Sequence, residues 1–142
     1  MNFIERCLYD FNDNIDKIHN LSFLLHNLLS VQAQGYNVHI YNSDNDPVTD
    51  VIIRKERIEN HIKRIKMKII PVKNLDDSLS VHELRTHQMK NILHKKYWLH
   101  KSIDDILSEI GISKSTLKRR NRELLQRAKD FFHDFHQDNK DN

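Results

Sequence analysis

The chain has 142 residues, of which 38% are hydrophobic and 30% are charged, and its net charge is +3. This length fits one domain, or a small domain with an extension. Only two Gly and two Pro favour long helices over many short strands. No apolar run approaches the roughly 18 residues of a membrane span, so no membrane association is expected. The single cysteine, Cys7, leaves no intrachain disulfide and fits a reducing, cytoplasmic location.

The first half of the sequence predicts a helical hairpin. Residues 2–30 carry apolar side chains at heptad-like spacing, typical of a packing seam. These are Ile4, Leu8, Phe11, Ile15, Ile18, Leu25 and Leu29. Residues 31–46 are rich in turn formers and predict a long loop, before a helix that should begin near Pro47 and end at Pro71. The outer face of this helix is basic. We interpret it as a solvated surface, and contact with a phosphate backbone is the alternative.

A further helix, predicted from about Leu79 to Leu99, should pack across the two helices that follow it. Its expected packing residues are Leu84, Met89, Ile92, Leu93, Tyr97 and Trp98. The pattern over 1–142 therefore predicts an all-α protein with three parts. They are a hairpin (1–75), a compact bundle (79–136) and a frayed tail (137–142).

Residues 101–129 contain the pattern on which the functional prediction depends. Ser102, followed by Asp105 three residues later, is typical of a capped helix start. An apolar face follows, and Gly111 then stands where a left-handed residue would end the helix. The motif's predicted turn and core residues are Ile106, Ile110, Gly111, Ile112 and Leu117. Two short helices joined by such a turn indicate a helix-turn-helix DNA-binding motif.

The second helix of this motif, residues 113–129, is predicted to enter the major groove of double-stranded DNA. The candidates for base reading are Ser113, Lys114, Ser115, Lys118, Arg119 and Arg122. The candidates for phosphate contact are Lys95, Lys96, Lys101, Thr116 and Arg120. The simpler alternative is a surface helix whose basic residues only keep the protein soluble.

The modest net charge hides a strong division along the chain. Residues 1–50 carry two bases and seven acids, whereas residues 81–129 carry twelve bases and five acids. Positive charge is thus concentrated on and beside the predicted helix-turn-helix, as binding to a polyanion requires. Because one such motif covers only a few base pairs, a homodimer joined by the hairpin is expected.

The basic hairpin is followed by NILHKKYW (91–98), SIDDILSEIGISKSTLKRR (102–120) and RAKDFF (127–132). This order of segments resembles the ArpU/RinA-type late transcriptional regulators of bacteriophages, whose C-terminal part is similar to region 4 of sigma-70 factors. The resemblance implies an activator of phage late genes in the cytoplasm of a bacterial host, with host RNA polymerase as a further partner to consider. Leu107 and Asn121 depart from the usual motif, which has a small residue and a hydrophobe there.

Two other functions stay open on the sequence alone. A small terminase-like subunit for phage DNA packaging could combine the same motif with an assembly hairpin, and a helical adaptor could use its apolar seams to bind proteins. An enzyme is not expected, because the chain has no Gly-rich phosphate loop, HExxH or Gly-x-Ser-x-Gly pattern. The histidine pairs 87/94 and 133/136 could each share a helix face, but a metal site needs more ligands. No metal or cofactor is therefore predicted.

Overall fold

The computed structural model describes residues 1–33 and 47–140, and the side chains at 1–28 and 49–133. Every regular element in these ranges is helical, which confirms the all-α prediction. The helices are α1 (Phe3–Tyr9), α2 (Phe11–Ala33), α3 (Pro47–Ser78), α4 (Leu84–Ile92), α5 (Ile103–Ile110) and α6 (Lys114–Lys140). A π-helical segment, Leu93–Trp98, continues α4. None of the described helices has the length and apolarity needed to cross a membrane.

The chain divides into two compact units. The core unit comprises Met1–Asn14 and Met67–Asn142, and the hairpin unit comprises Ile15–Lys66. The core unit thus includes residues 1–14 and 67–75, which the sequence pattern grouped with the hairpin. The predicted loop falls mainly on residues 34–46, outside the described residues.

The core unit is built around a single cluster of buried side chains. It draws on α1, the end of α3, α4 with its π-helical extension, α5 and α6. Its members are Cys7, Leu8, Val72, Leu75, Leu79, Met89, Ile92, Leu93, Tyr97, Ile106, Leu117, Leu124, Ala128 and Phe132. Burial raises the pKa of the Cys7 thiol to about 11, so this cysteine is a protonated core residue.

The predicted first helix is broken near Asp10, so that α1 and α2 are separate elements. The Asn2 side chain caps α1 by accepting a hydrogen bond from the Glu5 amide at 2.8 Å. The break lets Leu8 stay in the core while Phe11 stacks on Trp98, with ring centroids 4.6 Å apart. Heptad spacing alone cannot predict this break, because the apolar positions of α1 and α2 continue the same spacing across it.

The prediction that α3 ends at Pro71 is wrong, because the helix continues to Ser78. A proline inside a helix removes one backbone donor and costs about 3 kcal/mol. Beyond it, however, Val72, Leu75 and Leu79 are all buried in the core. Each such side chain contributes roughly 1.5–3 kcal/mol on burial, which is enough together to offset the proline.

The helix before the predicted motif begins at Leu84 rather than at Leu79, and Leu84 is 74% exposed instead of packed. Its end is widened into π-helix, where the Leu99 amide donates to the carbonyl of His94 at 2.9 Å. Next in the chain, His100 adopts a left-handed conformation with φ 54°. Its Nε2 donates to the Tyr9 carbonyl oxygen at 2.8 Å, which ties α1 to the segment before α5.

Candidate nucleic-acid interface

Helix α5 begins where the sequence predicted it. The Ser102 hydroxyl accepts a hydrogen bond from the Asp105 amide at 3.2 Å, and Asp104 and Asp105 lie in the first turn. Both features stabilise a helix N-terminus. On the apolar face Ile106 is fully buried, whereas Ile103 is 48% exposed, so only part of this face points into the core.

The turn between α5 and α6 depends on one glycine. Gly111 has φ 73° and ψ 36°, and its amide donates to the Leu107 carbonyl at 2.9 Å. Apart from its two chain neighbours, no described residue has an atom within 4 Å of the position that a Cβ would take. The left-handed backbone, and not a lack of space, therefore makes glycine the favoured residue here. Ile112 packs partly against the core, and the Ser113 hydroxyl caps α6 by accepting from the Thr116 amide at 3.2 Å.

Helix α6 has one buried side and one exposed side. Leu117, Leu124 and Ala128 are buried at 5% exposure or less. The exposed side near its start carries Lys114, Ser115, Lys118, Arg119 and Arg122, which we call the α6 basic face. In the part of the chain that the structure describes, none of its four cations lies within ion-pair distance of a carboxylate.

Lys95 and Lys101, both predicted to contact phosphate, share one internal partner. Their ammonium groups each lie 2.7 Å from the carboxylate of Glu109 on α5. Hydrogen bonds from Lys101 and Lys95 lower the pKa of Glu109, so the carboxylate stays charged and the cluster keeps one net positive charge. Beside it, burial lowers the pKa of Lys96, whose ammonium lies 5.1 Å from the centre of the Tyr97 ring.

Arg119 and Arg120 are neighbours in sequence but have different surroundings. Arg119 is exposed, whereas the Arg120 side chain is 15% exposed and bonds Gln88 at 2.9 Å and Glu123 at 3.2 Å. Arg85 on α4 also donates to Glu123, and its hydrogen bond lowers the pKa of that carboxylate. Arg120 therefore holds α6 to α4. Only the Arg120–Glu123 spacing of three residues hinted at this network in the sequence.

Asn121, one of the departures from the usual motif, has a clear partner. The Tyr97 hydroxyl donates to Asn121 Oδ1 at 2.7 Å, across the contact between the π-helical segment and α6. Burial raises the pKa of Tyr97 to about 12, so the phenol stays protonated and available as a donor. This polar pair fixes the side-by-side position of the two elements, a role that the sequence pattern does not predict for either residue.

The histidines do not assemble a metal site in the described residues, where no group of three or more potential ligands is found. His94 Nε2 instead lies 2.7 Å from Asp76 Oδ1, and its ring stacks on Trp98. Trp98 also packs partly against the core, which fits its predicted structural role. The side chain of His136 lies outside the described residues.

No protein-family model, curated protein sequence or solved structure matches this chain. The resemblance to phage late regulators consequently stays a sequence-based prediction.

Proposed function

We propose that the protein is a sequence-specific double-stranded DNA-binding transcriptional regulator of the ArpU/RinA type, with a sigma-70 region 4-like helix-turn-helix. One observation carries the proposal. Directly after a capped and glycine-closed turn, the start of α6 presents four cations that have no carboxylate partner among the described residues. Elsewhere in the core unit, Glu109 is paired with Lys95 and Lys101, and Glu123 is paired with Arg85 and Arg120. Among the side chains that the structure describes, internal pairing thus accounts for several cations of the unit but for none on the α6 basic face.

In the proposed mechanism the start of α6 enters the major groove. Arg119, Lys118 and Arg122 donate to guanine edges, and the Ser115 hydroxyl bonds a neighbouring base or phosphate. Thr116 and Lys101 contact the backbone and set the register. The Ser113 hydroxyl is already engaged as the α6 cap, so its contribution to DNA binding is through its position at the helix start.

Because one motif reads few base pairs, the proposed regulator binds as a homodimer. Its location is the cytoplasm of a bacterial host, and contact with host RNA polymerase belongs to the proposal that it activates phage late genes. A packaging subunit would instead form a ring of more copies, which solution mass distinguishes.

The experiment that tests the function is selection of bound duplexes from a random pool, followed by affinity measurements on the enriched site. Arg119→Ala should weaken specific binding by about 1–3 kcal/mol, while leaving binding to random duplex much less changed. Lys73→Ala, at an exposed lysine of α3 in the core unit, is the matched control and should change neither. Absence of any duplex binding at low salt overturns the proposal.

Salt dependence separates base reading from phosphate binding on the same face. A substitution that removes one phosphate-binding side chain should reduce the slope of log K against log salt by about 0.9. Lys114→Ala is expected to reduce the slope and to weaken binding to specific and random duplexes alike. An equal weakening on both duplexes for Arg119→Ala would make that residue a phosphate-binding one instead.

A further inference from the structure

The hairpin unit has an exposed surface on α2 that is not covered by the described part of the chain. Asn20, Phe23, Leu24 and Asn27 follow one another at i, i+3, i+4 and i+7, so they share one side of the helix, which we call the α2 outer face. Phe23 is 65% exposed and Leu24 is 53% exposed. The exposed neighbours of Phe23 also include His19 and His26, but none is an Asp, Glu, Lys or Arg. An exposed aromatic in a surface depleted of such charged residues is typical of the centre of a protein interface.

This surface lies in a segment without formal charge. From Ile18 to Ser43 the sequence contains no Asp, Glu, Lys or Arg, although 30% of the whole chain is charged. A solvated helix face normally carries such residues, and interface centres are depleted in them. The partner helix α3 differs, since Arg57, Lys63, Arg64 and Lys66 are all exposed in the same unit.

The apolar side chains inside the hairpin unit are also poorly shielded from solvent. Among its described side chains only Ile65, at 4% exposure, is buried. Ile18, Leu25, Ile58 and Ile62 are only partly buried, and Leu25 of α2 and Ile62 of α3 line a common open groove. Two helices can bury only one stripe of each other, and helical folds of this kind are usually completed by further helices.

We infer that the α2 outer face packs against the same face of a second copy of this chain, around a two-fold axis. In such an isologous contact the surface meets itself, so a charge-free face brings no like charges together. The exposed side of α3 is less suited to pairing with itself, because its exposed lysines and arginines outnumber the exposed Glu56 and Glu59. The two α2 helices therefore lie inside and the two α3 helices outside, in a four-helix arrangement. If the proposed DNA function also holds, a two-fold dimer recognises an inverted repeat.

The test is the solution mass of the full chain without DNA, so its outcome is independent of the proposed function. The expected mass is twice the 17.1 kDa of one chain, with dissociation on dilution. Phe23→Glu should raise the dimer dissociation constant about 30-fold or more, the effect typical of a central aromatic. Leu84→Glu, at an exposed leucine of the core unit, is the matched control and should leave the dimer intact.

A second pair of variants covers the case in which Phe23→Glu disturbs the hairpin itself. Asn27→Arg changes an exposed polar position on the α2 outer face and should weaken the dimer about 5–10-fold by placing like charges together. Asn60→Arg makes the same change at an exposed position of α3 and should have no effect. A monomer at all concentrations, a ring of more copies, or equal effects of Asn27→Arg and Asn60→Arg overturns the inference.

Discussion

The core unit and the hairpin unit are both helical, yet they bury their apolar side chains to very different extents. In the core unit Leu8, Leu75, Ile106 and Leu124 have no exposed surface, whereas in the hairpin unit Ile65 alone among the described side chains is buried. Several short elements can enclose a cluster from all sides, but two long helices leave their outer surfaces uncovered. The core unit is therefore expected to be stable by itself, and the hairpin to depend on a partner.

Polar contacts show the same difference. Side-chain hydrogen bonds in the core unit join separate elements, such as Tyr97 to Asn121 and Arg120 to Gln88. In the hairpin unit, the ion pair of Lys55 with Glu59 lies within one helix at 4.0 Å. Contacts between elements fix tertiary geometry, whereas an exposed pair within one helix contributes only about 0.3–0.5 kcal/mol.

The largest expected effect comes from truncating a leucine in each unit. Leu124→Ala removes a fully buried side chain from the core unit and should lower the free energy of unfolding by about 2–5 kcal/mol. Leu25→Ala changes a half-buried leucine of the hairpin unit and should lower it by about 1 kcal/mol in the monomer. Urea denaturation followed by circular dichroism measures both values.

Protein concentration sharpens this comparison. The destabilisation by Leu124→Ala should be the same at low and high concentration, because its contacts lie within one chain. The destabilisation by Leu24→Ala, a substitution on the α2 outer face, should instead grow with concentration if the hairpin is completed by a second copy. An effect of Leu24→Ala that does not change with concentration would show that the hairpin gains no stability from a second copy.

The next effect concerns the turn that directs α6. Gly111→Ala should lower the free energy of unfolding by about 1–2 kcal/mol, because alanine resists φ 73° although no atom blocks its side chain. Ser108→Ala, at an exposed position of α5, is the control and should change stability by less than about 0.5 kcal/mol. Stability unchanged in Gly111→Ala would mean that the turn relaxes without strain.

What the sequence predicted correctly is mostly local. The Ser102 cap, the left-handed Gly111 and the buried Leu117 follow from preferences within a few residues, and the structure has all three. The continuation of α3 through Pro71 could not be predicted in this way. It depends on burial of Val72 and Leu75 against elements that come later in the chain.

The candidate interface was predictable to a similar degree. The exposed positions of the α6 basic face follow from a helical period anchored by Leu117 and Leu124. The different surroundings of Arg119 and Arg120 could be predicted only in part. The helical period places Arg120 toward the core, but it does not identify Gln88 as the hydrogen-bond partner. Long-range pairs of this kind need the fold before they can be assigned.

A smaller effect tests the polar contact between the π-helical segment and α6. Tyr97→Phe removes the hydroxyl that donates to Asn121 and should lower the free energy of unfolding by about 1 kcal/mol. Tyr9→Phe is the matched control, since the structure gives the Tyr9 hydroxyl no hydrogen-bond partner among the described residues. Equal stability of both variants would show that the Tyr97–Asn121 bond contributes nothing net.

The smallest expected effect is a pH dependence confined to the core unit. Lys101 and Lys95 hold the pKa of Glu109 below its usual range. The charged carboxylate therefore contributes its full stabilisation of the fold above the pKa of an unfolded glutamate, about 4.3. This stabilisation is lost as the pH falls through the lower folded pKa. Glu109→Gln should therefore be less stable than the parent protein at pH 7 and equal to it at the acid end of the range.

Salt gives the decisive control for this last prediction, because the Glu109 carboxylate is solvent-accessible. Raising the ionic strength to about 1 M shortens the screening length to roughly 3 Å and should reduce the difference between the parent and Glu109→Gln at pH 7. Glu56→Gln in the hairpin unit, at an exposed carboxylate without an ion-pair partner among the described residues, should show no such salt-sensitive difference. If Glu56→Gln behaves like Glu109→Gln, the effect arises from net charge, and Lys95 and Lys101 remain as available to an external anion as the lysines of α6.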